Sequence, residues 1–416
     1  MINIRDKYSC CGCAACVQAC PKDCISFEED EQGFRYPFVD KIRCIDCGLC
    51  EKVCPFINQS EPLKPQKVYA AKNPNDEIRL KSSSGGIFTM LAEFIIDEGG
   101  VVFGARFDKN WEVEHGYTQI KEGIEAFRGS KYLQSRIGNT YVQVRDFLIE
   151  GRKVLFSGTS CQIAGLKLFL RKDYDNLLTI DIVCHGVPSP LIWRTYLNDI
   201  KSRSKGLNEK KSVSNPLIEV PVITGISFRD KLYGWKKYSI VIRAESTCKE
   251  NKNILLSSMN THEDILLNET LDKNLFLQVF LNNLCLRPSC AACPAKSGKC
   301  GSDLTIADYW GVASHHPEWD DDKGTSLVLV NTIRGCRFFD NLHPIYTETT
   351  YFEGFFGNPS IENSITENRY VSVFWSSFRK EGFKYANKIL RKSSPLLSRF
   401  LFKINRIYIG IKRFLT

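Results

Sequence analysis

Two runs of cysteine constrain this chain before anything else in it. The first reads Cys10-x2-Cys13-x2-Cys16-x3-Cys20-Pro21 and the second Cys44-x2-Cys47-x2-Cys50-x3-Cys54-Pro55, an internal repeat offset by 34 residues. Three thiolates on so tight a loop wrap three irons of one cubane, and the fourth cysteine, just ahead of proline, points to the other cluster. The spacing therefore predicts one 4Fe-4S cluster on Cys10, Cys13, Cys16 and Cys54 and a second on Cys44, Cys47, Cys50 and Cys20. A zinc module would use pairs of C-x2-C, not triples followed by a fourth cysteine and proline. Gly12 and Gly48 let backbone come close to the sulfur cage, while Cys11 and Cys24 fall outside the pattern and read as a spare thiol and a core residue.

Residues 8 to 58 resemble the bacterial two-cluster ferredoxins. The chain carries eighteen cysteines, and its N-terminus, Met-Ile-Asn-Ile-Arg-Asp-Lys, lacks the basic and then apolar profile of a secretory leader. A cytoplasmic location is expected, where thiols stay reduced and serve metal centres rather than disulfides. The net charge of +9 sits mainly in the tail: after Tyr370 there are eleven Lys and Arg against the single acid Glu381. That distribution argues against nucleic-acid binding. Apolar residues interleave with those cations, so the tail reads as amphipathic helices broken near Pro395. Such helices either dock peripherally on anionic lipid or an acidic partner, or cap the chain's own domain.

The stretch Ser60-Glu61-Pro62-Leu63-Lys64-Pro65-Gln66-Lys67 is a linker, and mixed α/β patterning follows it. Strands are predicted at Val68 to Lys72, Val101 to Phe107, Lys153 to Ser157 and Leu177 to Val183, with helices at Gly86 to Asp97 and Gln162 to Arg171. A hairpin is expected with strands at Ile226 to Arg229 and Tyr238 to Ile242, and Lys201 to Asn215 reads as a surface loop. His315-His316-Pro317 reads as a loop without chemistry. Two turns carry a ligand signal. Ser82-Ser83-Ser84-Gly85-Gly86 opens a helix where amides converge on an anion, which suits a cofactor phosphate or an ordinary cap. Gly158-Thr159-Ser160-Cys161-Gln162 follows a buried strand and opens another helix, a common ligand position in α/β folds. Cys290-x2-Cys293 has metal-ligand spacing and needs two more thiolates, either Cys285 and Cys300 nearby or Cys161 and Cys184 from strand ends.

The later motifs resemble the coenzyme F-420 hydrogenase/dehydrogenase β-subunit family. They are Ser83 to Thr89, Ser130-Lys131-Tyr132, Gly158 to Leu166, Asp181 to Pro190, Phe228 to Lys231 with Gly234-Trp235, and Arg287 to Gly311. The resemblance implies an α+β, mixed α/β architecture. Its parts are a two-cluster ferredoxin-type domain at 1–60, a flavin and iron–sulfur domain at 68–345 (68–160 and 161–345), and a basic helical extension at 346–416. It also implies FAD and a third 4Fe-4S cluster, the latter on Cys161, Cys184, Cys290 and Cys293. Flavin contacts fall on Ser83, Ser84, Gly85, Gly86, Thr89, Lys131, Gly158, Thr159 and Gln162. Lys131 would pair with the pyrophosphate or steady reduced flavin, and His185 would donate a proton, unless they are a surface lysine and a structural histidine. Where the family usually carries proline before the cysteine, this chain has Ser160, which is expected to loosen the turn. The implied function is an oxidoreductase moving electrons between a hydride carrier (deazaflavin coenzyme F-420, nicotinamide or similar) or a redox partner protein and the clusters. Some relatives of this form accompany surface-polysaccharide assembly. The rival reading is a non-catalytic iron–sulfur relay subunit feeding a separate enzyme.

Overall fold

The structure is a computed structural model and describes residues 1–4, 6–209, 221–245 and 263–393. Its N-terminal part holds a two-stranded antiparallel hairpin, β1 (Ile25–Glu29) and β2 (Arg35–Val39). One-turn helices α1 (Ala15–Gln18) and α2 (Leu49–Lys52) each carry the third cysteine of a triplet, Cys16 and Cys50. The repeat is visible in the backbone: Gly12 and Asp46, then Ala14 and Gly48, stand at equivalent places and all have positive φ. Each copy thus carries one side-chain-bearing residue in a conformation that costs about 1–2 kcal/mol. That curl winds the loop around the thiols.

Beyond the linker come β3 (Lys67–Lys72), α3 (Asp76–Lys81), α4 (Ile87–Asp97), β4 (Val101–Phe107), β5 (Val113–Thr118), α5 (Thr140–Ile149), β6 (Val154–Thr159), α6 (Ser160–Leu170) and β7 (Leu177–Ile182). The chain continues through α7 (Pro190–Glu209), β8 (Ile223–Asp230), β9 (Ser239–Glu245), β10 (Glu263–Thr270), α8 (Leu275–Leu281) and β11 (Leu304–Asp308). The last elements are α9 (Val312–His315), β12 (Ser326–Val330), α10 (Ile333–Asp340), β13 (Ile345–Glu348), α11 (Tyr351–Phe356), α12 (Val371–Glu381) and α13 (Ala386–Ser393). An eight-stranded mixed sheet runs β13-β3-β12-β11-β7-β6-β4-β5, with β11, β7, β6 and β4 parallel at its centre. This is the mixed α/β architecture expected from the strand and helix alternation.

The period of two in the central strands decides which helices cover which face. Val101, Phe103, Val154 and Phe156 pack with α5, α6 and the N-terminal part through Ala14, Ala15 and Val53. Their neighbours Val102 and Leu155 face α4 and α10 through Ile87, Leu91, Ile95 and Phe339. The iron–sulfur part is therefore seated on the α5–α6 layer.

Two local expectations change. The segment beginning at Lys201 is helical as far as Glu209, because Ile192, Trp193, Tyr196, Leu197 and Ile200 form a buried stripe that carries α7 onward; residues 210–215 lie outside the described residues. The His315–His316 stretch is the end of a one-turn helix and the start of a 3-10 turn, not an open loop. The predicted hairpin is present, lengthened by cross-strand pairing, and β10 adds a third antiparallel strand.

The tail folds onto its own chain as far as it is described. Phe374, Trp375, Phe378, Phe383 and Ile389 are buried with Tyr196, Ile242 and Phe276. The apolar face on α12 and α13 is thus occupied within the fold, and Pro395 lies outside the described residues. Among the described residues no helix is long and apolar enough to cross a membrane.

Candidate functional site

The eight cysteines of the two runs gather in two cavities. Cys10, Cys13, Cys16 and Cys54 line one, together with Cys11, Ile2, Ile4 and Phe56. Cys20, Cys44, Cys47 and Cys50 line the other, with Cys24, Ile25 and Val39. The fourth cysteine of each run crosses to the opposite group, as the repeat spacing implies. Cys47 is exposed, so the second group opens on the surface. Backbone amides point at these sulfurs, Ile2 N at Cys50 Sγ (3.2 Å) and Asp46 N at Cys44 Sγ (3.4 Å). Such bonds stabilise thiolate over thiol. Cys24 is a buried core residue, as expected, with its Sγ 3.3 Å from Cys20 Sγ.

A third group forms from separated segments. Parallel β6 and β7 pair Thr159 with Ile182, so Cys161 and Cys184 each stand two residues past a matched position at the same end of the sheet. Pairing of Pro188 with Leu286 and a bond from Arg287 N to Val187 O (2.9 Å) bring the Cys290 turn to the Cys184 segment. Cys161, Cys184, Cys290 and Cys293 then act on one another electrostatically, and burial raises the Cys184 thiol to about 12 and Cys293 to about 11. Of the local alternatives, Cys285 is buried in the α7–α8 core, whereas Cys300, its Sγ 3.6 Å from Ser302 Oγ, lies in the core cluster that Cys161 and Cys293 pack against. Cys336 is half-buried on α10, and Cys248 lies outside the described residues.

Ser160 does not loosen the turn. Its hydroxyl donates to Asp181 Oδ2 at 2.6 Å, while Ser302 (2.6 Å) and Thr305 (2.5 Å) donate to Oδ1. Asn331 Nδ2 supports both hydroxyls. A buried carboxylate therefore ties the start of α6 to β7, β11 and β12, which replaces by bonding what proline supplies by rigidity.

The residues expected at a flavin fall into two neighbouring groups. In one, Ser83 Oγ accepts from Ser130 N (2.6 Å), Arg128 Nε donates to Thr89 Oγ1 (3.3 Å), and Lys131 Nζ donates to Arg128 O and Gly129 O (3.1 and 3.2 Å). Burial lowers Lys131 to about 7. Gly86 caps α4 at φ +84° with no side-chain cap, and Gly85, Gly86 and Ile87 at this helix start are buried. The Ser84 hydroxyl and the Gly85 amide are committed to Thr325 O and Ser326 Oγ. In the other group, Gln162 Oε1 accepts from Thr159 N (3.0 Å), and its Nε2 donates to Ser135 Oγ (2.9 Å); Gly158 lies against it. Between them stands His115, its Nε2 2.9 Å from Ser157 O and its Nδ1 without a partner; burial lowers it to about 4.

His115 and Ser135 also line a cavity of about 890 Å³ between β5, the 133–143 segment and the iron–sulfur part, walled further by Gly12, Arg35, Trp193 and Arg287. That volume is in the range that holds a cofactor-sized ligand. None of the nine residues expected at the flavin lines it. His185, predicted as a proton donor, points Nε2–H at Asn283 Oδ1 (2.7 Å) and sets its ring edge-on to Phe280. Arg229 and Lys231 are not solvated charges. Arg229 is ion-paired with Asp308 and stacked on Tyr238 and Trp310, and Lys231 Nζ donates to three backbone carbonyls, those of Arg79, Ser84 and Lys323.

Three residues at this site escaped the sequence reading: His115, Cys11 and Arg287. Cys11 bonds to both Cys13 and Cys161, and Arg287 is almost fully buried among cysteines. Arg287 directly precedes the Pro288–Cys290 turn, which was the available signal.

Residues 9–58 match the 4Fe-4S dicluster domain family, and residues 151–350 match the family described as the C terminus of the coenzyme F420 hydrogenase/dehydrogenase beta subunit. An uncharacterized protein of Methanocaldococcus jannaschii is 26% identical over 272 residues, which is 55% of this chain and 74% of the relative. The xenon-derivatized F420-reducing [NiFe] hydrogenase complex of Methanosarcina barkeri is similar to it at a TM-score of 0.43 and 15% identity, over 72% of this chain and 90% of that one. The chain thus joins a 4Fe-4S dicluster domain to a domain of the coenzyme F420 hydrogenase/dehydrogenase β-subunit family.

Proposed function

We propose that this protein is an iron–sulfur flavoenzyme, an oxidoreductase that moves electrons between a hydride carrier and three 4Fe-4S clusters. The observation that carries the reading is the convergence of Cys161, Cys184, Cys290 and Cys293 beside the dicluster domain. A bare two-cluster relay needs no third thiol set. On this reading those four cysteines hold the third cluster, and the start of α4 with Ser83, Gly86, Thr89 and Lys131 would hold the flavin phosphates. Gly158, Thr159 and Gln162 flank the flavin on the side of Cys161. The chemistry that flavin supplies when bound is the exchange of a hydride's two electrons for single electrons. Lys131, held near neutrality by burial, gains its proton when an anion arrives beside it. Coenzyme F420, named in the family's description, is the first hydride carrier to assay, with nicotinamide beside it.

Anaerobic expression followed by iron, sulfide and flavin analysis tests this. About twelve irons and one FAD per chain are expected. About eight irons without flavin would make the protein a relay and refute the proposal. Cys161→Ser is expected to lower iron from about twelve to about eight.

A further inference from the structure

We propose that Arg287 and Cys11 form the junction between the Cys161–Cys184–Cys290–Cys293 set and the Cys10–Cys13–Cys16–Cys54 set. This orders the electron path from the α/β domain into that first set and out through the exposed Cys20–Cys44–Cys47–Cys50 set. The inference deepens the function proposed above and rests on its third cluster.

Arg287 is 1% exposed. Its Nε donates to Cys10 O (2.7 Å), Nη1 to Gln134 Oε1 (3.1 Å), and Nη2 to Arg35 O (2.8 Å), with Cys10 Sγ at 3.6 Å. The guanidinium lies on the Tyr36 ring at 4.4 Å. A buried cation requires anionic company. The groups acting on this one include Cys10 of one thiol set and Cys290 of the other, with Cys11 and Tyr36 beside them. Its charge is balanced once those sulfurs are metal-bound thiolates, so it belongs electrically to both clusters at once.

The backbone is cut back to let the sets approach. Cys161 and Gly165 share a face of α6, one turn apart. A Cβ at Gly165 would stand 3.0 Å from Cys13 Sγ, and one at Gly12 would stand 3.0 Å from Arg287 Nη1. Cys11 fills the gap between, touching Cys13 and Cys161. Once clusters are bound, the two cysteine sets would hold them, and a one-electron transfer from one to the next would form or break no bond and move no proton. Arg287 favours the reduced, more negative state of the clusters it touches. It is a positioning and tuning residue, and takes no part in hydride chemistry.

Redox titration monitored by electron paramagnetic resonance tests this with Arg287→Gln. The expected result is an at least tenfold shift of the Cys10 cluster toward oxidised, a midpoint about 59 mV lower, with iron content unchanged. No shift in any cluster at unchanged iron would overturn the tuning role. The order is tested with Arg287 intact, in the double variant Cys44→Ser/Cys47→Ser. The two remaining reduced clusters should still show spin coupling, and magnetically isolated signals would overturn the junction. This second measurement decides the matter if the arginine variant does not fold. Iron near eight in the unaltered protein would instead refute the third cluster, while the Arg287 effect on the Cys10 cluster stays readable.

Discussion

Replacing Ser160 separates bonding from rigidity at the turn that presents Cys161. Ser160 is 8% exposed, and its hydroxyl donates to a carboxylate that is itself 4% exposed. A hydrogen bond to a charged group contributes about 1.5–3 kcal/mol net. Asp181 keeps Ser302 and Thr305 when this bond is lost, so the lower half of the range applies. Ser160→Ala should therefore cost about 2 kcal/mol, which for a cooperative unit of roughly 200 residues lowers the unfolding midpoint by roughly 4–8 °C. Ser160→Pro loses the same bond but adds rigidity. Thr159 already has φ −73° and ψ 156°, the extended shape that a residue before proline prefers, and proline is favoured at the first position of a helix. Stiffening the unfolded chain returns about 0.4–1 kcal/mol, so the proline variant should fall between the parent and Ser160→Ala. Thermal scans at one rate, followed by tryptophan fluorescence under anaerobic conditions, measure the order. An alanine variant within about 1 °C of the parent, or a proline variant less stable than alanine, would refute the reasoning.

Three further outcomes are expected. Lys131 has a folded pKa of about 7, below its unfolded 10.5, so the unfolded chain binds more protons between those values and stability rises with pH across that window. In flavin-free protein Lys131→Met should flatten this rise, leaving the share due to Lys231, lowered by burial to the same region, as read by urea midpoints at several pH values. Arg229→Ala leaves the Asp308 side chain, among the described residues, with the Trp235 indole N–H at 3.0 Å and the nearby Lys231 charge, and should cost about 3–5 kcal/mol in chemical denaturation. Iron chelation should expose residues 1–60 to trypsin while the eight-stranded sheet resists. A single two-stranded hairpin with one-turn helices is too small to hold itself together without its metal. Limited proteolysis with mass spectrometry reads this directly.

Much of the site was legible where ligands are close in sequence. The triplet spacing sorted eight cysteines into the two groups that the structure gathers, and apolar periodicity located β3, β4, α4, β6, α6 and β7. Other features were hidden because they depend on partners far along the chain. The serine at position 160 looked like a weakness until Asp181 stood opposite it. Nothing local to Arg229 and Lys231 shows that Asp308 and three distant carbonyls enclose them. The sequence left the basic tail either docking elsewhere or capping its own domain, and its described helices bury their aromatic face against α7, α8 and β9.

The sequence by itself determined the iron–sulfur chemistry of the first sixty residues, since covalent geometry confines three thiolates spaced two residues apart to one tight loop. It also determined that strands and helices would alternate beyond the linker. The family resemblance had named Cys161, Cys184, Cys290 and Cys293 as one set, and only the tertiary structure gives a physical reason for them to approach. The register of β6 against β7 aligns Cys161 with Cys184, and the bridge at Leu286 delivers Cys290 and Cys293 to them. Register and strand order arise from the summed packing of a whole sheet, which no local spacing encodes. The same packing buries Arg287 between two sets of sulfurs, where its charge acquires a meaning that its place in the sequence does not show.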